Sequence, residues 1–273
     1  MSHYYTREGN AQHTQPTKPG AKNPFRDTTI ADARKLGLLP SVSGITDIVS
    51  KPALASYIGR GIANACFDRP PHPGEERSGY IKAMIEAGAS EGKQAAQVGT
   101  DIHACIEKLL TGEEVDTSLP ITLASGITLS IGEMVFPAIS KMKAMGLEIQ
   151  HSEKVLVNRY LGYAGTTDVI FKAADSYGVL DFKSRKTKAG EAVEPYDTQP
   201  AQIAAYIAAH WQTSAEVVPF GSKVRGINLY ISTPEPGRVE VVEYDSERLI
   251  KEWEAFKNMM ALWIWQQNYN PAF

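Results

Sequence analysis

Residues 153–183 read EKVLVNRYLGYAGTTDVIFKAADSYGVLDFK, and this stretch decides the fold class. Short runs rich in Val, Ile, Leu and Tyr are separated by glycine-containing breaks at 159–162 and 174–178. The spacing predicts an antiparallel meander of strands at 153–158, 163–172 and 178–183. Downstream, 198–212 reads as a helix. Strands follow at 226–232 and 238–244, separated by Thr-Pro-Glu-Pro-Gly. Asp245 or Ser246 then caps a last helix whose Leu249, Trp253, Phe256, Met260 and Trp263 share one face and pack on a core.

Upstream of Gly146 the texture is helical. Ser50 followed by Pro52 reads as an N-cap with proline in the first turn, ahead of Leu54, Ile58 and Ile62 at helical spacing. After a loop at 68–74, helices run through Ile81 and Ile85, then through Ile102, Ile106, Leu109 and Leu110 up to Gly112, and again over 134–145. Residues 1 to about 27 carry Pro, Gly, Thr, Gln and Lys without hydrophobic periodicity. A flexible arm over 1–35 is therefore expected, or one that orders on a partner. The expected architecture is α+β: one domain over 36–273, with a helical part at 36–145, a central mixed sheet flanked by helices at 146–245, and a closing helix at 246–268.

With 43% hydrophobic and 22% charged residues the 273-residue chain has a globular composition. A net charge of −3 argues against nucleic-acid coating over the whole surface but leaves room for a local basic track beside acidic ligands. Cys66 and Cys105 form no CxxC pair, which excludes a disulfide framework and a four-cysteine metal site and fits a reducing cytoplasm. No apolar run approaches the roughly 20 residues of a spanning helix, and the polar start does not read as a signal peptide. Gly88 to Gln94 imitates a phosphate loop, but Ala87 and Gln94 stand where a glycine and a Ser or Thr are needed. There is no HExxH pair.

The chemistry-bearing residues lie on the meander. Asp168 closes GTTD, and Asp181 and Lys183 stand in VLDFK. Side chains alternate along a strand, so Asp181 and Lys183 project to one side roughly 6–7 Å apart while Phe182 enters the opposite apolar layer. Two carboxylates delivered by neighbouring strands repel each other unless a cation neutralises them, and oxygen ligands favour Mg²⁺ or Mn²⁺. Such an ion polarises a phosphoryl oxygen, and the lysine can orient water or stabilise developing charge. Phosphodiester hydrolysis uses this set.

The D-(x)n-(D/E)-x-K pattern on strand, turn and strand resembles the PD-(D/E)XK nuclease superfamily, most closely its RecB-like and RecE-like exonuclease branch. QIAAY at 202–206 matches the QxxxY motif of that branch, and GTDIH at 99–103 resembles its upstream helix with a histidine ligand. Glu153, in SEKVL, occupies the place of a recurrent acid. The resemblance spans about residues 95–210. Thr167 replaces the proline of the superfamily name, and the cysteines of the iron–sulfur subgroup are absent. The resemblance implies a restriction-endonuclease-like core, with His103, Asp168, Asp181 and the Phe182 carbonyl as metal ligands. Lys183 would be the catalytic lysine, and Gln202 and Tyr206 would position the lysine, the sheet end or the DNA backbone. Glu107, one turn beyond His103, reads equally as a supporting partner of the site or as an exposed helix acid. Arg185, Lys186 and Lys188 leave the site in a loop suited to DNA phosphates.

The expected activity is Mg²⁺- or Mn²⁺-dependent exonucleolytic hydrolysis of DNA ends in recombination, repair or phage DNA processing. It would take place in a bacterial or phage-infected cytoplasm, with a recombination partner protein and oligomerisation both compatible. An endonuclease or flap nuclease would use the same site. A DNA-binding protein that retained the fold without catalysis would be expected to lack a ligand or the lysine, and a structural assembly subunit would bind no metal.

Overall fold

The structure is a computed structural model that describes residues 3–212 and 220–272. In chain order its elements are β1 (Tyr4–Tyr5), β2 (Thr14–Pro16), β3 (Phe25–Asp27), α1 (Ile30–Leu36), β4 (Leu39–Pro40), α2 (Val42–Thr46), α3 (Pro52–Asp68), α4 (Arg77–Gly88) and α5 (Ser90–Thr111). There follow β5 (Pro120–Thr122), β6 (Thr128–Ser130), α6 (Ile131–Ala144), β7 (Glu148–Asn158), β8 (Tyr163–Lys172), β9 (Tyr177–Arg185), α7 (Thr198–His210), β10 (Val224–Ser232), β11 (Val239–Tyr244) and α8 (Ser246–Gln267). No described helix is long and apolar enough to cross a membrane.

The expected meander is present as β7, β8 and β9, antiparallel throughout. It forms the larger part of a five-stranded sheet ordered β11-β10-β9-β8-β7. β10 runs parallel to β9, a pairing that requires a crossover, and α7 supplies it. The fold is therefore α+β with a mixed central sheet flanked by helices. Residues of α7, α8 and α2 pack with Ile170 and Val179 on one face, while α5 and α6 pack with Val169, Leu180 and Phe182 on the other.

The two covering helices on the first face have different sequence causes. In α7, Ala201, Ala204, Ala205, Ala208 and Ala209 are buried, so the helix is enclosed on all sides and approaches its neighbours closely. In α8, Leu249, Trp253, Phe256, Met260 and Trp263 form the buried stripe expected from their spacing, with Asp245 as the N-cap. Burying five such side chains contributes on the order of 10 kcal/mol before chain entropy is charged against it.

Two expectations are corrected. Lys51, not Ser50, is the N-cap of α3, without a side-chain cap. No residue of α3 is buried, and Leu54 and Ile58 are exposed. The helix packs instead on α4 through bare backbone, since a Cβ on Gly61 would lie 2.4 Å from the Gly88 carbonyl oxygen.

The second correction concerns the arm. Tyr4 and Tyr5 are buried, β1 pairs with β4, and the Tyr5 hydroxyl meets Thr166 Oγ1 at 3.2 Å. The reason lies in the sheet. β8 pairs with β9 only from Val169↔Leu180 to Lys172↔Tyr177, which leaves the first half of β8 without its inner neighbour. Such an edge needs cover. Ser41, following β4, bridges Ala164 in parallel, and Tyr5 and Leu39 pack on Ala164. A segment without periodicity thus orders by capping a split in the sheet.

Candidate metal centre

Asp168 is the first β8 residue beyond the last β8–β9 pair, so it stands at the fork where the two strands diverge. The Phe182 N–H has no β8 carbonyl to meet there and donates to Asp168 Oδ2 at 2.6 Å. The fork therefore replaces a ladder bond with a bond to a carboxylate. His103 approaches from α5, its Nδ1 3.5 Å from the same oxygen and its ring edge-on to Phe182. Gly99, one turn earlier, makes this approach possible, because a Cβ there would sit 2.8 Å from Ser184 Oγ on β9.

Glu153 completes the group from β7. One ligand atom from each of His103, Glu153 and Asp168 lies within 4.8 Å of the others. Glu153 holds φ = 48°, a left-handed conformation inside a strand. An L-residue pays about 1–2 kcal/mol for it. Burial, followed by the charges of Asp168 and Glu107, pushes the Glu153 carboxyl up to about 7. Backbone strain and crowded negative charge coincide on one residue, and a divalent cation would neutralise the charge. The donor set, one imidazole and two carboxylates, suits Mg²⁺ or Mn²⁺ and also fits other first-row ions.

Asp181 and Lys183 flank this group. Asp181 lies outside the three-ligand cluster, and its Oδ2 accepts from Lys183 Nζ at 2.5 Å and from Asn228 Nδ2 at 3.1 Å. Burial pushes the Asp181 carboxyl up to about 6, with the charge of Lys183 as the main opposing influence. Burial also pulls Lys183 down, but the charges of Asp181 and Asp168 outweigh it and hold the ammonium above its usual range. For Asp168, burial is outweighed by His103, Lys183 and the Phe182 N–H, and its carboxyl is lowered. For His103, burial is outweighed by Asp168 and the imidazole is raised. At neutral pH the fork thus carries ionised aspartates beside an ammonium.

Gln202 Nε2 donates to the Tyr206 hydroxyl at 3.0 Å, as their spacing on one helix face allows. Tyr206 is buried in the core, and its ring approaches Gly165 so closely that a Cβ there would meet it at 2.8 Å. The pair therefore braces the β8 segment that leads to Asp168. Glu107 lies near enough to Glu153 to raise its carboxyl but stands outside the ligand group. Phe182 contributes its N–H and ring as described. Lys186 and Lys188 form exposed pairs with Glu91 and Glu191, and Arg185 stacks on Tyr196 with 3.8 Å between the guanidinium carbon and the ring centroid.

Sequence reasoning missed Asn228 and Tyr244. Asn228 is fully buried on β10, paired in register with Asp181, and its Oδ1 accepts from the Tyr244 hydroxyl at 2.8 Å. That bond fixes which way the amide faces and turns Nδ2 toward Asp181. An amide in the otherwise apolar run GINLYIS was the available signal.

No family model matches this sequence, and no curated protein does. Among solved structures, the chain is similar to the crystal structure of SSO0001, with a TM-score of 0.28 and 15% identity over 74% of this chain and 85% of that one. It is also similar to an alkaline exonuclease, LHK-Exo, from Laribacter hongkongensis, with a TM-score of 0.31 and 12% identity over 62% of this chain and 82% of that one. The functional reading below rests on the geometry of the fork.

Proposed function

We propose that this protein is a metal-dependent deoxyribonuclease that acts on DNA ends. The observation carrying the proposal is the convergence of His103, Glu153 and Asp168 within 4.8 Å at a strand fork, with the Asp181–Lys183 pair alongside. His103, Glu153 and Asp168 would hold a divalent cation, and Asp181 adds its carboxylate from the other arm of the fork. A bound Mg²⁺ or Mn²⁺ would polarise a phosphoryl oxygen and make a coordinated water acidic.

The remaining work falls to the protein's own groups. Lys183 keeps its proton because Asp181 and Asp168 hold it charged, so it donates toward a phosphate oxygen or orients the attacking water. Asn228 and Tyr244 keep the Asp181 carboxylate in one orientation. Gln202 and Tyr206 brace β8, and the exposed Lys186 and Lys188 exchange their carboxylate partners for phosphates at little cost. Exonuclease action and a recombination role belong to the same proposal and draw their support from the motif order.

The test is digestion of an end-labelled linear duplex, a linear single strand and a closed circle, each with Mg²⁺, Mn²⁺ or chelator. Metal-dependent loss of linear DNA alone, abolished by Lys183→Ala and by Asp168→Ala, is expected. A circle cut as fast as the linear forms makes the enzyme an endonuclease with the same residues. No degradation under any condition overturns the catalytic reading.

A further inference from the structure

Of the three cations that leave the site, Arg185 alone has no carboxylate partner among the described residues. Lys186 is paired with Glu91 and Lys188 with Glu191. No described group accepts a hydrogen bond from the Arg185 guanidinium, and its Nη1 is buried without an acceptor. Its setting is aromatic. The guanidinium carbon lies 3.8 Å from the Tyr196 ring centroid and 6.0 Å from that of the buried Tyr230.

The arrangement is held from behind. Gln199 Oε1 accepts from the Tyr196 N–H at 2.9 Å and from the Tyr230 hydroxyl at 2.7 Å. Arg238 donates to the Lys188 and Glu191 carbonyls and so ties down the start of the same loop. Tyr196 itself is 59% exposed, although a ring used only for packing would be expected to turn inward.

Arg185 and Lys183 stand two residues apart on β9 and share its face, roughly 6–7 Å from each other. That is about one nucleotide step along an extended strand. An unsatisfied guanidinium one step from the proposed scissile position, stacked on an exposed aromatic ring, has the two parts of a single-strand subsite. The guanidinium takes a phosphate, and the ring offers a flat face to a base.

We propose that Arg185 and Tyr196 form a subsite for one unpaired nucleotide next to the cleavage position, so that the enzyme engages a strand whose terminal bases are separated. A base in the interior of a duplex has both faces occupied by its stack and cannot lie on Tyr196. The subsite deepens the nuclease reading and rests on it.

The test uses the full chain in chelator, where no strand is cut, and fluorescence anisotropy with a labelled oligothymidylate and a hairpin-capped duplex. Tyr196→Ala is expected to weaken single-strand binding about tenfold and duplex binding less than twofold, whereas Tyr196→Phe stays within twofold of wild type on both. Arg185→Gln is expected to lower the salt slope for the single strand by about 0.7, the share of one phosphate contact. Arg185→Lys, which keeps the charge but not the planar stack, retains the slope and loses affinity. Tyr196→Ala that binds the single strand like wild type, or weakens both ligands equally, overturns the subsite. In a parallel Mn²⁺ assay, wild type that degrades no DNA overturns the nuclease reading. Wild type that degrades DNA with Tyr196→Ala equally fast on a single strand overturns the subsite alone.

Discussion

Replacing Asn228 with alanine tests whether the Asp181 carboxylate is oriented from the neighbouring strand. The amide is fully buried, donates to Asp181 Oδ2 at 3.1 Å and accepts from Tyr244 at 2.8 Å. A hydrogen bond to a charged partner contributes about 1.5–3 kcal/mol and a neutral one about 0.5–1.5, so losing both costs roughly 2–4.5 kcal/mol. Asp181 would also be free to rotate about Lys183. Partners that orient metal-site carboxylates typically change metal affinity by about 10- to 100-fold when removed, and a fall in that range is expected for Mn²⁺. Urea unfolding in chelator, with the slope checked for constancy, reads the first quantity, and calorimetric titration of folded protein with Mn²⁺ reads the second. Tyr244→Phe keeps the ring and removes the bond that sets the amide's direction, along with the hydroxyl's contact to Tyr230, so it should cost about 1 kcal/mol with a smaller loss of affinity. The reasoning fails if Asn228→Ala unfolds within about 0.5 kcal/mol of wild type and binds Mn²⁺ unchanged, because Asp181 would then be held by Lys183 alone.

Other consequences follow from single contacts. Gly99→Ala places a methyl 2.8 Å from Ser184 Oγ and should move α5 off β9, lowering Mn²⁺ affinity about tenfold; adding Ser184→Ala removes the obstructing atom, and titration of the double variant should recover most of the loss. Glu153→Gly relieves the left-handed backbone at φ = 48° and removes a ligand, so chelated protein should gain about 0.5–1 kcal/mol in urea while Mn²⁺ no longer raises its melting temperature. Thr167 is fully buried with Oγ1 unpartnered among the described residues, and Thr167→Val should add about 1 kcal/mol of stability with Mn²⁺ binding unchanged; a loss of stability would mean that the hydroxyl does have a partner.

The elements whose side chains repeat with the backbone period were legible from sequence. The α8 stripe, the β7–β8–β9 meander and the end of α5 at Gly112 each follow from local patterning, which acts over a few residues and needs no knowledge of the rest of the chain. The same locality made Asp168, Asp181 and Lys183 visible, since charged groups in apolar strands stand out against their neighbours. It gave the helix α3 but not its docking, where Leu54 and Ile58 are exposed and Gly61 and Gly88 let α3 and α4 approach closely.

The sequence by itself determined helices α3 to α8, strands β7 to β11 and which residue types the fork would carry. Only the tertiary structure decided that the β8–β9 ladder stops at Val169↔Leu180, that the opened edge is covered by Tyr5 and Ser41, and that Glu153 joins His103 and Asp168 while Asp181 turns to Lys183 and Asn228. These are contacts between residues far apart in the chain, and they depend on strand register and on how closely Gly99 and Gly165 let their neighbours approach. No local pattern records register or approach, because both are set by the packing of the whole core.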